Sequence, residues 1–218
     1  MDFVQLVIDS APVFLKGLKI TFYLTVGAVI LSVLLGAPIA AMRMSHNAPM
    51  RRFAQAYLAI IRGVPLIAMM FVIYFGMVSL ISVDALTAGI LGLGIHTSAY
   101  VAEIFRSGFL AVPRGQTEAA RSLAMSRGLT VRKIVAPQAF RVVVPALANQ
   151  MIITLKDSAV ASFITVPELF MQSQRLSAAN FQPVAYYLVV SIYYLAIVGL
   201  MTLAANRTET IFSKGHTA

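Results

Sequence analysis

Residues 22–42 read FYLTVGAVILSVLLGAPIAAM, a stretch without a single charge. A helix crossing hydrocarbon needs roughly 20 mostly apolar residues, so this segment is long enough to span a bilayer. The rest of the 218-residue chain agrees: 59% of it is hydrophobic, 11% is charged, and the mean hydropathy is +0.84. A water-soluble domain carries about 25% charged residues, so the solvent that suits this chain is lipid. Four more apolar stretches follow. Gly63–Val83 lies behind Arg62, Ala85–Ala102 runs up to Glu103, Val142–Val166 is interrupted by Lys156 and Asp157, and Pro183–Ala205 is uncharged. The expectation is an all-α, multi-pass membrane protein with five transmembrane helices.

The formal net charge of +9 would suit nucleic acid, but the basic residues lie between the apolar stretches. One set of connections holds Arg43, Arg51, Arg52, Arg106, Arg114, Arg121, Arg127, Arg132, Lys133, Arg141, Arg207 and Lys214. The opposite set holds Lys16, Lys19 and Arg175. Lysine and arginine accumulate on the cytoplasmic side, which puts the N-terminus outside and the C-terminus inside and leaves no nucleic-acid partner to invoke. Ahead of the first span, Phe3, Val4, Val7, Ile8, Ala11, Phe14 and Leu15 recur at helical spacing, with Asp2, Gln5 and Asp9 on another face. That pattern predicts an interfacial amphipathic helix within 1–19, ended or bent at Pro12; a frayed start to the first span is the alternative. Ser32, Gly36 and Ala40, and again Gly94, Ser98 and Ala102, form small-residue stripes that would let helices approach closely.

Charge inside the membrane is costly and needs a partner or water. Arg62, Glu103, Lys156 and Asp157 are the candidates. Lys156 and Asp157 point about 100° apart on a helix, so each needs its own partner, and Glu103 and Arg62 are available. Either these residues form a polar path for a substrate or they are pairs that set helix register. His96, Asn149 and Gln150 are weaker candidates, since such groups often serve as interhelical hydrogen-bond partners. The chain has no cysteine and its three histidines, His46, His96 and His216, are scattered, so no metal centre is expected.

Between the third and fourth spans, GQTEAARSLAMSRG (115–128) is too polar to cross the bilayer. It predicts a short cytoplasmic helix from Gln116 to Arg127, stopped at Gly128, with Glu118 suited to its first turn and Arg127 to its last. Its small face, Ala119, Ala120, Ser122, Leu123 and Ala124, suits a groove on another protein. The longer segment EAARSLAMSRGLTVRKIVAP (118–137) resembles the EAA motif of permease subunits of ABC-type importers, EAA-x3-G-x9-I-x-L-P. Glu118, Ala119, Ala120, Ile134 and Pro137 match; Ala124 stands in place of the glycine and Ala136 in place of the leucine. RGVPLIAMMFVIYFGM (62–77), SAYVAEIFRSGFLAVPRGQTEAA (98–120) and APQAFRVVVPALANQMIITLKDSAVASFITVPELF (136–170) are similar, in order, to segments of polar amino acid permeases.

The resemblance covers about residues 3–205 and implies a type I importer permease. Its transmembrane domain would be 20–206, with a coupling loop at 108–137 and a cytoplasmic tail at 207–218. Gly115, Glu118, Ala119, Ala120, Leu123, Ala124, Ile134 and Pro137 would couple to a cytoplasmic ABC ATPase dimer that holds ATP and Mg; this chain would hold no cofactor. The other implied partners are a second permease subunit, identical or paralogous, and an extracytoplasmic solute-binding protein, in a bacterial inner membrane. Arg62, Met69, Glu103, Asn149, Lys156 and Asp157 would line the substrate path. Met69 stands where the family often has glutamine and Val64 where it has threonine. The N-terminal VQLVIDSAPVFLKG and the VPELF segment resemble cystine-type permeases.

No phosphate loop of the GxxxxGK[ST] type is present, nor HExxH or GxSxG, so the chain is not expected to be an enzyme. An ion-coupled carrier or channel without an ATPase is the alternative, although carriers usually show repeated spans and none is visible here. A scaffold whose loop recruits a soluble partner is a third class.

Overall fold

The computed structural model describes residues 3–78 and 83–213. Asp2, residues 79–82 of the second apolar stretch, and Lys214 and His216 of the tail lie outside them. The described residues are helical throughout the bundle: α1 (Phe3–Met44), α2 (Ala48–Gly63), α3 (Leu66–Val78), α4 (Ala85–Leu110), α5 (Arg114–Ser122), α6 (Arg127–Thr130), α7 (Ala136–Asp157), α8 (Leu169–Asn180) and α9 (Pro183–Ser213). Four segments are long and apolar enough to cross a membrane: Phe3–Met44, Ala85–Leu110, Arg127–Ile164 and Pro183–Thr210. A fifth crossing forms if α2 and α3, bent by 101° at Val64-Pro65, count as one. The five-span expectation therefore stands, but its second span is broken. Proline at 65 makes the helix stop at Gly63, and α2 is the amphipathic arm of the pair.

Helix α1 runs unbroken through Pro12, so the expected end of the N-terminal helix at that proline is absent. At 42 residues it is about 63 Å long, twice the hydrocarbon thickness of about 30 Å. Its N-terminal part is seated by Leu6 and Phe14, which are buried with Leu169, Tyr186, Val189 and Val190. Val4, Ile8 and Leu15 of the expected apolar stripe remain exposed. The small-residue stripes meet at Gly36, which lies against Ser98 and Ala102 across the α1–α4 contact, and Ala40 is buried in the same cluster as Ala102, whereas Gly94 packs against Leu31. A Cβ on Gly36 would fall 2.8 Å from the Ser98 carbonyl oxygen, so only glycine permits the two backbones to approach this closely. Tyr57 on α2 hydrogen-bonds Ser98 at 2.6 Å and ties the arm to the same seam.

Two boundaries move and one helix is added. Helix α4 continues past Glu103 to Leu110, which places Glu103 inside a helix rather than at its end. Helix α9 continues past Ala205 to Ser213, taking in part of the expected tail. Between the last two spans the chain forms α8, a helix that the sequence reading treated only as a connection; it packs on α1 and α9.

Candidate functional site

The loop helix is shorter than the spacing predicts. Helix α5 ends at Ser122, and Gly128 lies inside α6 rather than stopping the first helix. The stop is Ala124, held at φ 56°. Met125 N–H donates to the Ala120 carbonyl at 3.2 Å and Ala124 N–H to the Arg121 carbonyl at 2.9 Å. This is the Schellman pattern, whose left-handed residue is usually glycine. The position at which the family pattern carries glycine is therefore one whose backbone favours it, and Ala124 turns the chain there. Ser126 then caps α6 through Leu129 N–H.

The face of α5 splits cleanly. Ala120 is buried against α6 and the turn that follows, while Gly115, Glu118, Ala119, Leu123 and Ala124 are exposed, Leu123 at 78%. Residues Val131–Val135 form one π turn in which Ala136 N–H reaches back to the Val131 carbonyl. Pro137 cannot donate a helical hydrogen bond, and the wider turn absorbs that gap. Gln138 Nε2 adds a bond to the Ile134 carbonyl at 2.9 Å. Helix α5 packs on this turn, in which Ile134 is half-buried, while Pro137 at the start of α7 is exposed.

The charged residues sort into two clusters. Glu103 on α4 meets Arg43 of α1, Arg106 at 2.9 Å and Arg62 of α2 at 3.9 Å. The pairing of Glu103 and Arg62 with Lys156 or Asp157 is absent among the described residues; α1 contributes Arg43, which sequence spacing could not bring to Glu103. One carboxylate faces three guanidiniums, beside an open cleft of about 500 Å³ lined by Arg43, Gln55, Leu58, Ala59, Arg62 and Gly63. Arg62 also lies over the Tyr100 ring at 5.8 Å.

The second cluster sits where α7 tightens into a 3-10 turn, Ser158–Ile164. Asp157 is half-buried and interacts electrostatically with His96 on α4. Lys156 and Asn149 are exposed on one face of α7, two turns apart. Met69, by contrast, is buried within the bundle. Glu168 escaped the sequence reading except as part of VPELF. It is fully buried and caps α8, accepting from Met171 N–H at 2.6 Å, Phe170 N–H at 2.8 Å and the Tyr194 hydroxyl at 3.1 Å. Burial pushes its carboxyl up to about 7, with these donors and Thr21 pulling the other way. An acid just ahead of a helical stretch, suited to the helix dipole, was the available signal.

The family model described as "Binding-protein-dependent transport system inner membrane component" matches residues 28–210. The chain belongs to that family. The probable amino-acid ABC transporter permease protein YckA of Bacillus subtilis is 34% identical over 94% of this chain and 91% of its own length. The L-cystine transport system permease protein TcyB of the same organism is 32% identical, covering 91% and 86%. The arginine transport system permease protein ArgU of Corynebacterium glutamicum is 36% identical, covering 90% of this chain and 67% of its own. A solved structure titled as an amino acid ABC transporter with histidines superposes with a TM-score of 0.91 at 36% identity over 96% of this chain and 98% of that one. The helical architecture of this family member, with four crossings or five if the bent α2–α3 pair counts as one, is that of a multi-pass membrane permease.

Proposed function

We propose that this chain is the pathway-forming subunit of an ATP-driven importer for a polar amino acid, delivered by an extracytoplasmic binding protein. The observation that carries this reading is α7: an otherwise apolar span leaves Lys156 and Asn149 uncovered on one face. A lysine toward lipid is costly, so that face belongs to a second permease copy and a wet path between the two. Lys156 and Asp157 at the end of that helix supply charge of both signs for an amino acid's carboxylate and ammonium. On the other side, the exposed Gly115, Glu118, Ala119 and Leu123 of α5 seat an ABC ATPase dimer, which holds ATP and Mg. The N-terminus lies outside a bacterial inner membrane and the C-terminus in the cytoplasm.

Relatives named for arginine and for cystine match at similar identity, which supports the polar amino acid class and favours neither substrate. The test is reconstitution. A Walker-type ATPase should copurify with the chain, and ATP with the binding protein should drive amino acid uptake into proteoliposomes. Uptake powered by an ion gradient alone, with no ATPase bound, would sink the importer in favour of a carrier.

A further inference from the structure

Arg62 and Glu103 lie apart from Lys156 and Asp157, and the charge around them is unbalanced. Glu103 is the one carboxylate of the cluster, and Arg43, Arg62 and Arg106 all turn toward it, so two positive charges are left over. A guanidinium carries several N–H donors, and a single carboxylate cannot satisfy three such groups. Arg62 is the least occupied. It approaches Glu103 only to 3.9 Å, its side chain is half exposed, and the Tyr100 ring at 5.8 Å holds it without neutralising it. Arg43 and Arg62 face the same open cleft of about 500 Å³, whose other walls are Gln55, Leu58, Ala59 and Gly63. Among the described residues that line it there is no acid.

Helix α2 forms one wall of that cleft. It carries Arg51, Arg52 and Arg62 and no acid. Ala54 and Leu58 seat it across α1 and α4, buried with Ile39, Ala40, Ala99 and Ala102. On one side of that seat Gln55, Ala59 and Arg62, at helical spacing, line the cleft. On the other side Met50, Phe53 and Ile60 form an exposed apolar stripe, with Tyr57 half-buried among them. Helix α3 is wholly apolar and packs on the spanning α4, and α2 is turned 101° from it. That angle lays α2 near the membrane plane, beside Arg43 in the last turn of α1. An in-plane helix with arginines on one face and Phe and Ile on another belongs at the boundary between headgroups and acyl chains.

We propose that the Arg43–Arg62 cleft binds the phosphate of an anionic glycerophospholipid, in the leaflet that takes up Met50, Phe53 and Ile60. The proposal goes beyond the importer reading and does not depend on it. Arginine is matched to phosphate because its planar N–H edge can bond two oxygens at once. Basic pockets between helices at a membrane surface take lipid headgroups on the same grounds. A free phosphate or the carboxylate of an amino acid would meet the same charge, but neither covers the apolar stripe of the same helix. A lipid leaflet satisfies both faces of α2.

The test compares the complex as purified from the membrane in micelles of phosphatidylglycerol or phosphatidylcholine with the same acyl chains. Native mass spectrometry should show phosphatidylglycerol retained at least about five-fold over phosphatidylcholine, the weight of one basic residue at a charged membrane surface. Arg62→Gln should remove about that much preference. Gln55→Glu places a carboxylate in the cleft where the phosphate would sit. It should lower retention at least as much, with melting in phosphatidylcholine unchanged or raised, and it decides alone should Arg62→Gln not fold. Arg207→Gln removes an exposed charge on α9 and should change nothing. An equal loss in Arg207→Gln would mean diffuse surface charge, and equal retention of both lipids would mean no site; either overturns the proposal. So does protection against melting by inorganic phosphate or by glutamine equal to that by the lipid, which would assign the cleft to a free anion or to substrate. The chain has no cysteine, so a disulfide between two copies of Ile60→Cys in lipid would give the stripe to a partner copy and overturn the lipid as its cover.

Discussion

At the residue scale, Ala124 and Glu168 show how much one backbone angle or one buried acid can matter. Alanine in the left-handed region costs about 1–2 kcal/mol, partly offset because glycine loses more freedom on folding. Ala124→Gly should therefore stabilise the α5–α6 turn by about 0.5–1 kcal/mol, seen as slower amide exchange at Met125 with ATPase binding kept or strengthened. Faster exchange there would mean that φ 56° is not a strained angle in this turn. Glu168 gives a pH dependence of definite sign. Its folded-state carboxyl is raised from an ordinary value of 4.5 to about 7, so the folded chain binds the extra proton between these values. Stability is then highest below about pH 4.5 and declines as the pH rises through 7, by at most about 3 kcal/mol. The groups facing it are Thr21 and Tyr194, neither of which titrates in that range. The purified protein should melt lower at pH 8 than at pH 5, and Glu168→Gln should flatten the difference; equal pH dependence in both would remove Glu168 as its source.

At the element scale, α5 and the α1–α4 seam carry separable burdens. Glu118 is exposed on α5 and takes part in no internal ion pair among the described residues, so Glu118→Lys should leave expression and melting unchanged. Reversing its charge should weaken ATPase copurification by at least about ten-fold, equivalent to about 1.4 kcal/mol. Intact association and transport would exclude α5 as the docking helix. The seam should behave in the opposite way. Gly36→Val drives a branched side chain into the Ser98 carbonyl and Ala102 N–H, and overpacking typically costs about 1–3 kcal/mol. Folded yield should fall before any partner is added. The sequence made both elements visible, through alanine and small-residue spacing, but it placed the end of α5 five residues too late. Local propensity favours continuing the helix through Leu123 to Arg127; only the closure of the turn against α6 selects the left-handed angle at Ala124.

At the scale of the whole molecule, the chain is a bundle whose apolar exterior suits lipid, and Arg62, Glu103, Lys156 and Asp157 fall in two separate places. Asp157→Asn should reduce transport more than it reduces assembly with the ATPase; loss of folding alone would mark Asp157 as a register residue instead. The sequence by itself determined the solvent, the number of crossings and the family, because hydropathy over some twenty residues and ordered motifs are properties of contiguous chain. It also brought forward Lys156 and Asp157 as residues lipid would not tolerate. Tertiary structure alone decided which charges meet. Glu103 closes on Arg43 and Arg62 because α1, α2 and α4 pack along one small-residue seam. Glu168 becomes a buried cap because α8 folds back between α1 and α9. Pairing across helices depends on the three-dimensional approach of segments far apart in the chain, and no periodicity within a single helix encodes it.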